Sequence, residues 1–348
     1  MRILLAADPI LPVPPLLYGG IERIVARLLA ELRARGHVVA LAALEESTAP
    51  ADRRYPWPAR RVGHSLDTLR NALALRRAAR SFRADVVHSF ARLAYLLPLL
   101  QSRVPKIMSY QREPGLGQTR RAARWARAGS IAFTGCSEYI AARGRAGAGS
   151  WHAIPNFADT DVLRPDHAPP PPDAPLVFLS RLDRIKGAHL AIAIARRAGR
   201  RIVLAGNRAD SGPDADYFER EIRPEIDDRL VSWIGPVNDE QKRRLLASAH
   251  AMLVPIQWEE PFGIVFAEAL ACGCPVISCA RGALPEIIDE GSTGFFVQGV
   301  EDGAAAVGRV SSLDRAACRR AAETRFSPAA VAARYEALYD ELLRPTLD

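Results

Sequence analysis

Lysine is almost missing from this chain. Of 47 basic residues only Lys106, Lys186 and Lys242 are lysines, and the other 44 are arginines. Arginine is the default cation, so a lysine beside a suggestive motif carries weight. Cysteine is sparse as well: there are five, an odd number, and none forms a CxxC pair. That argues against a disulfide framework and a zinc site and leaves buried reduced thiols, Cys272 and Cys274 among them. Long apolar runs are absent too. Leu93 to Leu100 is broken by Pro98, far short of the roughly 20 residues of a membrane span. The opening MRILLAADPILPVPP lacks the apolar core and cleavage site of a signal peptide. It reads as a buried strand, Ile3 to Ala7, entering a proline-rich loop, which implies a cytoplasmic protein. That loop holds Tyr18-Gly19-Gly20 where a nicotinamide dinucleotide site would need GxGxxG.

Charge is present but uneven. Residues 51–130 hold 16 arginines and Lys106 against four acids, a net of +13 within a total of +8. Much of it lies in RRVGHSLDTLRNALALRRAARSFR and QTRRAARWARAGS, the second with Trp125 among Arg120, Arg121, Arg124 and Arg127. Such segments suit either solvated helices or peripheral contact with the anionic inner face of a membrane. No nucleic-acid-binding module and little aromatic interleaving accompany them, so nucleic acid is not an expected partner.

Short strand-like runs alternate with helical segments along both halves. The first half offers Ile3–Ala7, Val38–Ala42, Asp85–His88, Ile107–Tyr110 and Ile131–Thr134. The second offers Leu176–Leu179, Ile202–Ala205, Val231–Ile234, Ala251–Val254 and Pro275–Ser278. A helix over Ile21–Arg35 carries Ile24, Val25, Leu28, Leu29 and Leu32 on one stripe and stops at Gly36. Repeated βαβα alternation predicts an α/β protein with two parallel, helix-covered sheets. Six prolines in eleven residues mark 165–175 as a linker between residues 1–164 and 176–327. A last helix, within 328–348, is expected to pack back on the first domain. Two such Rossmann-like halves predict a ligand site at the carboxyl ends of their strands.

The stretch EEPFGIVFAEALACGCPVIS, Glu259 to Ser278, follows a strand and predicts a helix over Phe262–Cys272 with Pro261 at its first position. Gly263 leaves the first N–H groups open to an anion at the positive end of the helix. Glu260 lies outside that end, and Glu268 about two turns in. A sugar hydroxyl, a diphosphate and a ribose diol could span that distance.

Eight segments, in order, resemble the family-4 retaining glycosyltransferases of GT-B architecture. They are GGIERIVARLLAELRARGHVV, DVVHSF, IPNFADTDVLRP, FLSRLDRIKG, VLAGN, EPFGIVFAE, RGALPEII and STGFFV. The resemblance implies a metal-independent, cofactor-free enzyme moving a sugar from a nucleotide diphosphate to a hydroxyl acceptor. The acceptor would be a sugar or lipid-linked sugar of a cell-surface glycan or natural product. Glu260, Arg181 and Lys186 would be catalytic: Glu260 would hold the donor sugar, and the two cations would clamp the diphosphate. Phe262, Gly263 and Ile264 would surround sugar and phosphates, and Glu268 would take the ribose. Asn207, Gly235, Pro236 and Val237 would meet the base, while Gly19 and Gly20 would approach the donor. On the acceptor side stands Gln111, where the family commonly has histidine; His88, at a strand end, could be a second contact, although a histidine so placed is more often packed or capped. Glutamine can bond a sugar but cannot exchange a proton near neutrality. Asp159-Thr160-Asp161 spells a metal-binding DxD, yet aspartate in that place also suits a turn. A nucleotide-sugar isomerase and a non-catalytic sugar-nucleotide binding protein remain the alternatives.

Overall fold

The computed structural model describes residues 1–15, 19–61 and 63–344. Tyr18 of the Tyr18-Gly19-Gly20 turn and the last four residues of the 328–348 segment lie outside them. Two compact units emerge, residues 1–156 with the helix that begins at Pro328, and residues 157–327.

The first unit contains β1 (Arg2–Ala6), α1 (Gly20–Ala34), β2 (Val38–Ala43), β3 (Arg53–Pro56), α2 (Ser65–Phe82), β4 (Val86–Ser89) and α3 (Leu93–Leu96). It continues with β5 (Lys106–Tyr110), α4 (Leu116–Trp125), β6 (Ile131–Gly135), α5 (Glu138–Arg145) and β7 (Ser150–Ala153). All seven strands are parallel, ordered β3-β2-β1-β4-β5-β6-β7. The apolar stripe of α1 is buried as its periodicity predicts, and Gly36, with φ 85°, ends the helix by donating to Arg33 O.

In the second unit follow β8 (Leu176–Leu179), α6 (Ala188–Arg197), β9 (Ile202–Ala205), α7 (Pro213–Tyr217), β10 (Val231–Trp233) and α8 (Asp239–Ser248). Then come β11 (Met252–Val254), α9 (Ile264–Ala271), β12 (Val276–Ser278), β13 (Gly294–Phe296), α10 (Val300–Arg309) and α11 (Arg315–Phe326). The six strands are parallel in the order β10-β9-β8-β11-β12-β13. The last helix, α12 (Pro328–Leu343), belongs to the first unit, where Glu336 pairs with Arg35 at 2.7 Å and lies 2.7 Å from His37 Nε2.

Three expectations change here. The first unit ends at Asn156, not at residue 164. Phe157, Ala158 and Leu163 are buried, Ala158 N–H donates to Phe326 O, and the Arg319 guanidinium donates to the carbonyls of Thr160 and Leu163. The proline-rich segment 165–175 therefore lies within the second unit, where Arg200 donates to the carbonyls of Pro172 and Ala174. The third change concerns His88, which is 0% exposed in the core and is no acceptor contact. Its Nδ1 lies 2.7 Å from the Tyr339 hydroxyl on α12 and its Nε2 2.7 Å from Ser109 Oγ. Lys106 is sealed as completely: its ammonium lies within 2.8–3.1 Å of the carbonyls of Leu99, Leu100 and Ser102 and of Ser130 Oγ, four acceptors for its three protons.

Burial draws the His88 pKa from 6.5 down to about 3. The ring is neutral when folded and charges below 6.5 when unfolded, so its contribution is complete above pH 6.5 and is lost as pH falls toward 3. The slope is at most about 1.4 kcal/mol per pH unit. His88→Gln, which cannot charge, should show a smaller drop in melting temperature between pH 7 and pH 5 than the parent chain. Equal drops would mean that His88 plays no part in the acid sensitivity.

Candidate functional site

In the second sheet the strand order reverses between β8 and β11. Helical connections leave these neighbours in opposite directions, which opens a crevice at their carboxyl ends. Both loops that frame it carry candidate residues: 180–187 after β8 and 255–263 after β11. The loops are joined by backbone, Gln257 N–H donating to Ile185 O at 2.7 Å. Gly187 makes the close approach. Its φ is 79°, and a Cβ there would stand 2.2 Å from Pro255 O.

That junction places Lys186 Nζ 2.6 Å from Glu260 Oε2. The Trp258 indole N–H donates to the same oxygen at 3.0 Å, and its ring lies under the ammonium at 4.5 Å. Glu260 is only 8% exposed. Its carbonyl accepts from Ala283 N–H, and Glu259 accepts from Gly282 N–H, so the loop after β12 fixes the backbone on which the site is built. Oε1 of Glu260 accepts no hydrogen bond among the described residues. An ammonium has three protons, and Lys186 spends one on Glu260.

Arg181 does not join this pair. Its guanidinium folds onto Asp183 at 2.5 Å and stays half exposed. Burial raises the Asp183 pKa above its usual value, although Arg181 opposes the shift.

The helix after Glu260 starts later than its sequence suggests. α9 begins at Ile264, and Gly263, in the left-handed region at φ 82°, is the residue before it. Pro261 is therefore outside the helix. A Cβ at Gly263 would meet the Phe266 ring at 2.5 Å, so this turn requires glycine. Phe262 is buried edge-on to Phe326, leaving only its backbone for a ligand. The amides at the mouth are those of Gly263, Ile264 and the residue after them.

Glu268 faces α8. Lys242 Nζ lies 2.6 Å from Glu268 Oε1 and 3.3 Å from Asp239 Oδ1. The ends of β9 and β10 complete the rim. Gly206 N–H donates to Gly235 O, and Leu182 N–H to the carbonyl of exposed Asn207. Pro236 and Val237 lead into α8, capped by Asn238 and Gln241. Gly19, Gly20 and half-buried Gln111 stand in the first unit, after β1 and β5. Asp159 Oδ1 accepts from the N–H groups of Asp161 and Val162, closing a turn. Among the described residues no group of three or more His, Cys, Asp or Glu side chains could hold a metal ion.

Sequence reading passed over Trp258 and Lys242. Lys242 had a signal, its rarity, but its partner is 26 residues away on another helix.

The profile of the family Glycosyltransferase Family 4 matches residues 18–162, and that of Glycosyl transferases group 1 matches residues 159–324. The solved structure of a glycosyltransferase involved in avilamycin A biosynthesis superposes with a TM-score of 0.71 at 27% identity, over 98% of each chain. The chain belongs to the GT-B glycosyltransferases. This glycosyltransferase also shares its fold with the Anabaena protein HepE, solved with UDP and glucose, at 17% identity and a TM-score of 0.73 over 98% of this chain and 99% of that one. The D-inositol 3-phosphate glycosyltransferase of Mycobacterium sp. (strain KMS) is 31% identical over 156 residues, which is 44% of this chain and 35% of that protein. The glycosyltransferase thus spans about a third of the length of the curated relatives it matches.

Gly187→Ala tests the junction that positions Lys186. A methyl group must displace the Pro255 carbonyl and tolerate a positive φ, at a cost of about 1–3 kcal/mol. Thermal unfolding should show that loss, whereas Gly199→Ala, also at positive φ but with nothing within 4 Å of its Cβ, should lose less.

Proposed function

We propose that this glycosyltransferase moves a sugar from a nucleoside diphosphate sugar to a hydroxyl acceptor, with retention of anomeric configuration and without a metal. The acceptor is a sugar or lipid-linked sugar of a cell-surface glycan or natural product. One observation carries the reading: the buried Lys186–Glu260 pair, with one carboxylate oxygen open, beside the mouth of α9.

Glu260 Oε1 accepts from donor-sugar hydroxyls, while Lys186 and Arg181 face the diphosphate. As the bond from the anomeric carbon to the phosphate oxygen breaks, its electron pair stays on the leaving diphosphate. Lys186, already fixed on Glu260, and the amides of Gly263 and Ile264 stabilise that charge without reorganising, and Arg181 joins them by turning away from Asp183. The acceptor oxygen bonds to the anomeric carbon from the face the phosphate leaves, and its proton passes to a phosphate oxygen. Gln111, with no proton to exchange, is then no obstacle. Glu268 accepts from the ribose, and Asn207, Pro236 and Val237 meet the base.

A panel of sugar nucleotides headed by UDP-glucose, with excess chelator, tests this by thermal shift and nucleotide release. Donor-dependent stabilisation with slow nucleotide release is expected, and Lys186→Ala should lower the release rate about a hundredfold. Binding without turnover would favour a sugar-nucleotide binding protein, an isomerised donor the isomerase, and strict metal dependence would overturn the metal-free step.

The same reading gives a lipid-linked acceptor a surface to meet. Leu66 and Leu69 on α2, Leu97, and Leu116 and Trp125 on α4 are exposed, Trp125 at 59%. Exposed Arg70, Arg77, Arg80, Arg120, Arg121 and Arg124 stand among them. The end of α4 is tied to the segment that follows α3, Arg127 N–H donating to Leu100 O and the Gln101 side chain to Trp125 O, and α2 packs against α3. Among the described residues no helix is long and apolar enough to cross a membrane, so contact would be peripheral. Sedimentation with phosphatidylglycerol vesicles at physiological salt should pull the protein down, and neutral phosphatidylcholine should not. Reversing Arg120, Arg121 and Arg124 to glutamate should release it, each arginine contributing about 1 kcal/mol.

A further inference from the structure

Two of the three lysines hold the two glutamates of the proposed donor site, and each holds one oxygen only. Lys186 takes Oε2 of Glu260, and Lys242 takes Oε1 of Glu268. Glu268 Oε2 accepts no hydrogen bond among the described residues. Some arginines elsewhere close on a carboxylate by both oxygens, while others, such as Arg35 on Glu336 and Arg319 on Glu323, hold one. Arg33 spans both oxygens of Asp52 through Nε and Nη2, and Arg223 spans both of Glu219. A guanidinium presents a fork that matches a whole carboxylate, whereas an ammonium is a point donor.

We infer that Lys242 is a positioning residue for nucleotide recognition: it fixes Glu268 by one oxygen so that the other remains free to accept from the ribose diol, a task arginine at this place would defeat. The inference rests on the donor reading above and adds to it a residue that touches no substrate. Lys242 suits the task by its place. It lies one turn into α8, the helix that Pro236 and Val237 lead into, and reaches across to α9. The base-side loop and the ribose carboxylate are therefore braced by a single side chain. Both partners are largely covered, the Lys242 side chain 15% and the Glu268 side chain 13% exposed, so the pair is shielded from salt. Burial alone would lower the Lys242 pKa; the Glu268 carboxylate and then Asp239 reverse that and hold it above its ordinary value. The cation therefore persists throughout any practical assay range.

Calorimetric titration of the full chain with UDP and GDP and their 2′-deoxy and 3′-deoxy counterparts is the test. The parent chain should bind its preferred ribonucleotide at least about tenfold more tightly than one of the deoxy forms, as expected for a hydrogen bond to a charged acceptor. In Lys242→Met and in Lys242→Arg that ratio should shrink to within about threefold. A brace with a structural role alone would lower the melting temperature and weaken ribo and deoxy forms equally, and arginine would restore both. An unchanged ratio in the two variants, or its rescue by arginine, overturns the inference while the Lys186 experiment still stands. A parent chain that binds ribo and deoxy forms alike removes Glu268 from the ribose and the inference with it, again without touching the turnover result. If the methionine variant does not fold, the arginine variant decides alone.

Discussion

A carboxylate can stay in a nearly dry crevice only if a cation or several hydrogen bonds come with it, and the rest of this site depends on that constraint. Glu260 meets it with Lys186 and Trp258, two groups supplied by different loops. The pairing exists because two strands that are not consecutive, β8 and β11, lie side by side. Backbone then brings the loops into register: Gln257 N–H on Ile185 O, with Gly187 against Pro255. The sheet order, the glycine and the ion pair form one chain of cause. An alanine at 187 acts on a carboxylate 73 residues away by moving the loop that carries its counter-ion.

What was legible in the sequence was local. The stripe on α1 and its stop at Gly36 need only a 3.6-residue period and a left-handed residue, and both are as read. The buried strands were visible because parallel strands covered on both faces must be apolar throughout. Three strands were missed, and all are edge strands: β3 (RRYP), β7 (SWHA) and β13 (GFF). An edge has one neighbour and fewer covering helices, so nothing forces a continuous apolar run upon it. The proline-rich segment was conspicuous and misleading for the same reason, since composition reports backbone stiffness and not which core a segment joins. Arg319, more than 150 residues downstream, decides that residues 160–163 belong to the second unit.

The candidate site was legible as residue types and not as partnerships. Glu260, Glu268, Lys186 and Gly263 announce themselves by motif and by rarity, and they do stand at the carboxyl ends of the second sheet. That Arg181 folds onto Asp183, that Lys242 holds Glu268 and that His88 faces Tyr339 depends on separations of 2, 26 and 251 residues. Only the shortest of these lies within the reach of a local pattern. His88 shows the same limit. A histidine at a strand end suits packing more often than ligand contact, but that its partner is Tyr339 on α12, from the far end of the chain, is reported by no property of the sequence near residue 88.

The chain's preference for arginine sharpens the meaning of its lysines. Exposed pairs such as Arg197–Glu301 and Arg320–Asp314 sit in water, where an ion pair contributes from nothing to about 1 kcal/mol, and either cation would serve. All three lysines, by contrast, are largely covered. Lys106 plugs a ring of carbonyls in a space with room for a compact head group, and Lys186 and Lys242 each grip one oxygen of a glutamate. At Lys242 a five-donor fork could consume the oxygen meant for a ligand. Two of the three lysines in this arginine-rich sequence therefore stand on the site's carboxylates, each as a single point of positive charge, and the third, Lys106, is buried in the first unit.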